Sequence, residues 1–500
     1  MSKACWWMVL GVAALLAQEA AAQTPVGRRC TTHEHRIRVR NVVFSNLDRP
    51  SKPDVLVSTV QPISLHFDGR VVSQAKAARV LSTAEEAWDV EITQLGWAAP
   101  LPDQDFGGNG NLDIYLDDLG DGSAYTAPDA EDPGLTRDAA MSFIVLDQDI
   151  PDVDIPFFVF HELNHASQFA LDAGESDAVF EWTASFVEYL TQPDAVAQTG
   201  YLPAFNGSPQ DALDDFTHRD EYEYGASLFL FFVVQRYFNN ANELVKDLWV
   251  GSAQRSTGAA YVNEPDFMDV LETRLAPQAT LLDVYGEFSR WRSFVGDDDD
   301  GQHIQLPGLV PFGSEMAVDT TLGWTALPAS RTVDIAETGS VRLNVEGAAP
   351  AGRALRAAAA DGAADDVLEL SVLMVDANNA VLAQQHARGL APVVTVNIPA
   401  GARARVLLAR LGDGSHDPDD QEWSANSYGL TLESVEAVVE VPDAGMAQPL
   451  PPDEKKPGPC ACANATTHAA TVWWMGVILV VGLRRRAPSH GGGASRSRGP

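Results

Sequence analysis

The chain has 500 residues, with 34 lysines and arginines against 69 aspartates and glutamates and a formal charge of −35. That balance favours solubility and repels nucleic-acid phosphates, and no basic stripe in the body of the chain reverses it. Its 4 cysteines exclude a scaffold built on disulfides, and with Cys5 set aside as part of a leading segment ahead of the first apolar run, Cys30, Cys460 and Cys462 form an odd set.

Met1-Ser2-Lys3 precedes an apolar run from Trp6 to Leu16, and small residues follow through Ala22. This is the layout of a secretory signal over 1–22, cut after Ala22. The run is too short to favour the alternative, a first membrane span. At the other end a Pro/Asp/Lys linker (441–459) leads to Cys460-Ala461-Cys462. An apolar run from Ala469 to Leu483 follows, then Arg484-Arg485-Arg486, and 487–500 reads as a disordered tail. The apolar run is of marginal length for a transmembrane helix, and the arginines would hold it on the cytoplasmic side. The order of cysteines, apolar segment and arginine cluster over 460–486 resembles the myxobacterial-type C-terminal sorting tail. That resemblance implies processing near the cysteines by a membrane peptidase, leaving the mature protein at the cell envelope or released from it. A plain C-terminal anchor is the alternative reading.

Between the ends about 400 residues remain, enough for two or three domains. After an N-terminal segment (23–53), a first domain over 54–305 opens with a strand, Pro62 to Phe67. A helix follows on which Ala77, Val80, Leu81, Ala84, Trp88, Ile92 and Leu95 share a face. Leu112 to Leu116 and Met141 to Leu146 read as further strands, and from Pro156 to Arg292 the periodicity is helical. Beyond Leu306 short strands separated by Gly/Pro/Ala turns predict a β-sandwich over 306–440. They are Thr332–Ile335, Ser340–Val345, Val367–Leu373, Val393–Ile398, Ala404–Ala409 and Tyr428–Leu432. The expected fold class is α+β.

The chemistry concentrates in His161-Glu162-Leu163-Asn164-His165. Histidines four apart lie on one helix face and can offer imidazole nitrogens to a single ion. Neutral imidazole suits zinc, and Glu162 is placed to take a proton from a water such an ion holds. Phe157, Phe158, Phe160, Leu163, Ala166 and Phe169 predict that this helix is buried. The third histidine of the metzincin pattern is missing, since Gln168 and Leu171 stand where Gly and His would be. A second helix, starting after Gly174 and reading Phe180 to Leu190 along its core, carries Glu181 and Glu188 on one face with Ser185 between them. An acid among Phe180, Trp182 and Phe186 is costly to bury unless paired or bound to metal. Glu181 is therefore the expected third ligand, with Glu188 as its outer partner or replacement.

His161, Glu162, His165 and Glu181 match in order the gluzincin metallopeptidases, which the chain resembles. It is further similar to a group of secreted bacterial metallopeptidase-like proteins with a Glu-x-x-Ala second helix. The residues that carry this likeness are Leu95–Trp97, Asp113–Leu116, Ser142–Asp147 and Trp291–Gly296, across roughly 55 to 310. It departs at Thr183, where the pattern has a smaller residue. The resemblance implies a zincin-like first domain and an extracellular endopeptidase. It also implies an oxyanion-holding residue on a later helix, best placed at Tyr224, with Tyr222 and His218 as rivals. In zincins a peptide substrate pairs with the edge strand above the metal helix. Ser123–Thr126 and Ser142–Val145 are the candidate segments.

Acidic stretches at Asp105–Asp121 and Asp297–Asp300 are weak candidates for calcium, and the first lacks the EF-hand acid at Leu116. The rival to an enzyme is an envelope-surface binding or adhesion protein whose metal only braces the helices while the sandwich does the recognition. A bracing site would be closed by a fourth protein ligand, whereas a catalytic one keeps an exchangeable water.

Overall fold

A computed structural model describes residues 30, 32, 37–39, 42–44, 49–120, 123–131, 137–193, 201–217, 221–253, 264–308, 310–360, 366–412 and 423–438. The expected signal, the linker, the C-terminal sorting or anchor segment and His218 lie outside the described residues. Among the described residues no helix is long and apolar enough to cross a membrane. The fold is α+β.

β1 (Ile37–Val39) and β2 (Val42–Phe44) form a small antiparallel hairpin. β3 (Asp54–Val57) and β4 (Ile63–Phe67) begin the main sheet, with β5 (Leu112–Asp117), β6 (Ala124–Glu131) and β7 (Ala140–Asp147). Their spatial order is β3-β4-β5-β7-β6. β4, β5 and β7 run parallel, and antiparallel β3 and β6 take the two edges. Between β4 and β5 the chain crosses over through α1 (Gln74–Trp88), capped by the Ser73 side chain on the Lys76 N–H. Ile63, Leu65, Leu112, Ile114, Ile144 and Leu146 point to the α1 side by the two-residue alternation of strands, and form one core with Ala77, Val80 and Ala84. On the opposite face Tyr115, Tyr125, Phe143 and Val145 make a smaller cluster. Arg49 crosses that face, pairing with Asp103 (2.7 Å), Asp113 and Asp129 (2.8 Å) and lying over the Phe143 ring at 5.2 Å.

The helical periodicity expected as far as Leu95 changes character at Asp89, where α1 widens into a π-helical turn through Gln94. That turn brings Glu91, completely buried, against the metal-motif helix. α2 (Ile155–Phe169) opens with Pro156 in its first turn, where the missing N–H costs nothing, and packs on β6 and β7. α3 (Asp177–Thr191) starts at Ser176, whose side chain accepts from the Val179 N–H.

The remaining helices are α4 (Tyr201–Gly207), α5 (Tyr222–Gly225), α6 (Ser227–Tyr237), α7 (Glu243–Ser252), α8 (Phe267–Leu275) and α9 (Leu281–Arg292). They surround α3 with an aromatic core that includes Trp182, Phe186, Phe229, Phe232, Trp249 and Phe288.

The C-terminal strands are β8 (Thr320–Gly323), β9 (Ala329–Ile335), β10 (Ser340–Glu346), β11 (Arg353–Ala360) and β12 (Val367–Val375). β13 (Val381–Gly389), β14 (Val393–Asn397), β15 (Arg403–Gly412) and β16 (Asn426–Glu436) complete them. They make two facing sheets, β13-β12-β15-β10-β8 and β14-β11-β16-β9. One core fills the space between them, with Leu343, Leu355, Leu370, Val406 and Leu430 among its members. Central strands β12 and β15 are buried on both faces. Leu370 and Val406 point into the sandwich, while Ala409 and Leu411 join the helical core. Glu369 of β12 approaches α9 so closely that a Cβ at Gly286 would lie 2.3 Å from its carboxylate.

Candidate metal centre

α2 and α3 pack side by side and carry the expected donors into one buried cluster. His161 Nε2 lies 3.0 Å from Glu181 Oε2, and His165 Nε2 lies 3.3 Å from the same oxygen. The two imidazoles stand edge to face with centroids 4.6 Å apart. A fourth donor, with no role in the expectation from sequence, completes the group: Cys30 Sγ is 3.4 Å from His165 Nε2 and 3.7 Å from Glu181 Oε1. All four ligand atoms lie within 4.8 Å of one another. Donors about 2.0–2.3 Å from a tetrahedral ion sit roughly 3.3–3.8 Å apart, so the spacing has the scale of a zinc shell. The group can hold a metal ion.

Around the donors each second ring nitrogen faces a side-chain oxygen. His161 Nδ1 faces Glu188 Oε2 at 3.4 Å, which places Glu188 on the side of the ring away from Glu181. His165 Nδ1 pairs with Gln168 Oε1 at 2.7 Å, fixing Nε2 toward the cluster. Gln168, noted in the sequence only for replacing a metzincin glycine, then donates from Nε2 to Asn164 Oδ1 (3.0 Å), Phe180 O (3.0 Å) and Thr183 Oγ1 (2.6 Å). Thr183, which departs from the pattern the chain resembles, accepts that bond and another from Trp249 Nε1 at 3.1 Å. The larger residue locks the two metal helices together. Asn164 donates to Glu91 at 3.1 Å, and burial pushes the Glu91 carboxyl well above its ordinary pKa.

Electrostatically the site calls for positive charge. Burial disfavours a charged imidazole, but Glu181 and Glu188 outweigh it and raise His161 to about 10. Burial, then Glu162 and Glu181, push the Cys30 thiol well above its usual value. A divalent cation supplies the opposite charge that two carboxylates and a thiolate need in a buried space, and binding it releases protons.

Glu162 is completely buried beside the donors. Its Oε2 accepts from Thr126 Oγ1 at 2.8 Å and from Thr32 Oγ1 at 3.1 Å, while Oε1 has no hydrogen-bond partner among the described residues. Tyr224, at the junction of α5 and α6, faces His161 with centroids 5.7 Å apart and donates its phenol proton to the Cys30 carbonyl at 2.8 Å. Burial, then Glu181, raise its pKa well above normal, so the phenol stays a donor. Tyr222 points elsewhere, donating to Ala212 O at 2.9 Å. Ser185 Oγ is buried with no hydrogen-bond partner among the described residues.

No protein-family model and no curated protein matches the chain. Some solved structures align with parts of it. The Yersinia pseudotuberculosis-derived mitogen aligns at 15% identity and TM-score 0.17, over 23% of this chain and 94% of its own. The pre-peptidase C-terminal domain of a Bacillus anthracis collagenase aligns at 10% identity and TM-score 0.16, over 23% and 97%. Aeromonas hydrophila PliG, a periplasmic inhibitor of g-type lysozyme, aligns at 13% identity and TM-score 0.16, over 23% and 96%. At these scores the likenesses carry no argument about this chain.

Of the two segments expected to line the cleft, only Ser123–Thr126 reaches an edge, because Ser142–Val145 lies on β7 between β5 and β6. Asp147 N–H bonds Ser123 O on the inner side of β6, while Thr126 N–H points outward to Thr32 Oγ1 at 2.8 Å. The acidic stretches weighed as weak candidates for calcium meet basic side chains of the protein itself. Asp113 meets Arg49 and His66, Asp298 meets Arg342 (2.6 Å) and Arg405 (2.8 Å), and Asp300 meets His303 (2.9 Å).

Proposed function

We propose that the first domain is zincin-like and that the protein is a secreted zinc-dependent endopeptidase. His161, His165 and Glu181 would hold the ion, Glu162 would act as general base, and Tyr224 would hold the oxyanion. The observation that carries this reading is the placement of Glu162. A brace of metal and helices has no use for a fully buried carboxylate beside the donors with one oxygen left without a hydrogen bond.

A bound zinc supplies Lewis acidity and lowers the pKa of water to about 7. The residues do the rest. An extended peptide lies against the outward N–H and C=O groups of β6, which pair main chain to main chain and leave sequence preference to side-chain pockets. Glu162 takes the proton of the attacking water and returns it to the leaving amine. The Tyr224 phenol, held beside the donors, donates to the carbonyl oxygen as negative charge grows there.

The rival, a binding protein with a bracing metal, gains support from Cys30, which offers a fourth protein ligand. The deciding test loads the protein with zinc, treats it with a thiol-capturing mercurial, and follows cleavage of an unstructured protein such as casein. Cleavage that a chelator stops and zinc restores is the expected result. A metal that raises the melting temperature, with no cleavage before or after thiol capture, would sink the peptidase reading.

Tyr224→Phe is expected to keep zinc and to lower kcat by about 10²-fold with little change in KM, since one oxyanion donor is removed. Tyr222→Phe serves as the control and should cost only about 1 kcal/mol of stability, the worth of its bond to Ala212. Equal kcat losses in the two variants would remove Tyr224 from the chemistry.

A further inference from the structure

We infer that the chain holds its own metal site shut: Cys30 takes the coordination position a water would need, and Cys30 and Thr32 lie against the strand edge where a peptide substrate would lie. The inference rests on the peptidase reading above, and concerns regulation of the same site.

Four features that the proposed reaction needs, the open metal position, Glu162, the Tyr224 phenol and the edge of β6, are occupied together by Cys30 and Thr32. Cys30 Sγ sits among His161, His165 and Glu181, 135 residues upstream of the histidine it approaches. Thr32 Oγ1 donates to Glu162 and accepts the outward Thr126 N–H of the edge strand. The Cys30 carbonyl takes the Tyr224 phenol, and Cys30 itself forms a parallel bridge with Ala124 of β6. A structural ligand needs the thiolate alone. Simultaneous occupation of the base, the phenol and the strand edge is what an inhibitory segment requires.

Release of Cys30 and Thr32 would leave the sheet held in place. Arg49, locked to Asp103, Asp113 and Asp129, fixes the chain to the sheet soon after the β1–β2 hairpin. Withdrawing Cys30 and Thr32, or cutting the chain between Thr32 and Arg49, therefore leaves the main sheet anchored. While attached, the thiolate competes as an intramolecular ligand at an effective concentration of order millimolar, so an external ligand enters only when it is cut free or captured.

Cobalt in place of zinc makes the thiolate visible through its charge-transfer absorption, and acetohydroxamate reports whether the metal can accept an outside ligand. The wild-type protein should show the thiolate band, resist acetohydroxamate and cleave casein poorly. Cys30→Ser should lack the band and bind acetohydroxamate. In the zinc form it should cleave faster by a factor on the order of 10². Wild type treated with a mercurial repeats the comparison should the variant fold badly, and Thr32→Val should keep the band while admitting acetohydroxamate more readily. No thiolate band in wild type, or equal acetohydroxamate binding by wild type and Cys30→Ser, overturns the inference. Loss of metal from both Cys30→Ser and mercurial-treated protein overturns it too, in favour of a permanent four-ligand brace. Gated acetohydroxamate binding with no cleavage by any form upholds the closure and rejects the peptidase reading.

Discussion

Glu162→Ala, made in a Cys30→Ser background so that the metal is open, is expected to hold as much zinc as its parent and to cleave casein about 10²- to 10⁴-fold more slowly. The carboxylate is not among the four clustered donors, so zinc content should not respond to its removal. It lies beside them instead, held by the Thr126 hydroxyl at 2.8 Å, with its second oxygen lacking a hydrogen bond among the described residues. A buried carboxylate oxygen left in that state costs on the order of 1–3 kcal/mol. Stability should therefore hold or rise as activity falls, which is the opposite of what removal of a structural residue does. Zinc analysis, thermal melting and initial rates on the same preparations check all three parts. Equal cleavage by parent and variant would take Glu162 out of the reaction.

The helices that carry the site were legible because their signals are dense and local. The spacing of His161 and His165, the aromatic residues around them, and the seven-residue step from Glu181 to Glu188 need only helical geometry to place the donors. The main sheet was mostly legible for a similar reason. β4, β5 and β7 alternate between the α1 core and the far face, as Ile114 and Tyr115 do. The sandwich strands that sequence missed are those in which local preference and tertiary pairing disagree. β11 reads Arg-Ala-Leu-Arg-Ala-Ala-Ala-Ala, a helical composition, and is a strand because β14 and β16 pair with it on both sides. β13 is interrupted by Gln384, Gln385, His386 and Arg388 and lies at a sheet edge, with β12 as its neighbour.

Cys30 was invisible for a different reason. No periodicity or spacing ties it to His165, and only the fold brings the two together across 135 residues. The available signal was compositional: a lone cysteine outside the expected signal and tail, in a chain with 4 cysteines that reads as secreted, is a free thiol that needs an explanation. Gln168 and Thr183 carried a fainter signal. Both stood out as departures from known patterns, and both mark a local solution, since together they orient His165 and tie α2 to α3.

His161→Ala, His165→Ala and Glu181→Ala are each expected to lose zinc on dialysis against a weak chelator, while Glu188→Ala keeps it with affinity lowered about 10- to 100-fold. The distinction follows from which nitrogen each carboxylate meets. Glu181 Oε2 lies 3.0 Å and 3.3 Å from the Nε2 atoms of the two histidines and so can share an ion with them. Glu188 meets His161 at Nδ1, 3.4 Å away on the far side of the ring, where it can orient the imidazole but cannot join the other donors. The Glu181 substitution removes a donor whose charge the ion needs. The Glu188 substitution leaves three donors from α2 and α3 and takes away only a carboxylate that makes His161 a stronger base. Stability should follow zinc, because without the ion the acids Glu162, Glu181 and Glu188 share a buried space with only imidazole to balance them. A chelator should therefore lower the melting temperature of Glu188→Ala and wild type, and leave that of the three ligand variants almost unchanged. Full zinc in Glu181→Ala with an empty Glu188→Ala would reverse the assignment, making Glu188 the ligand and Glu181 its support.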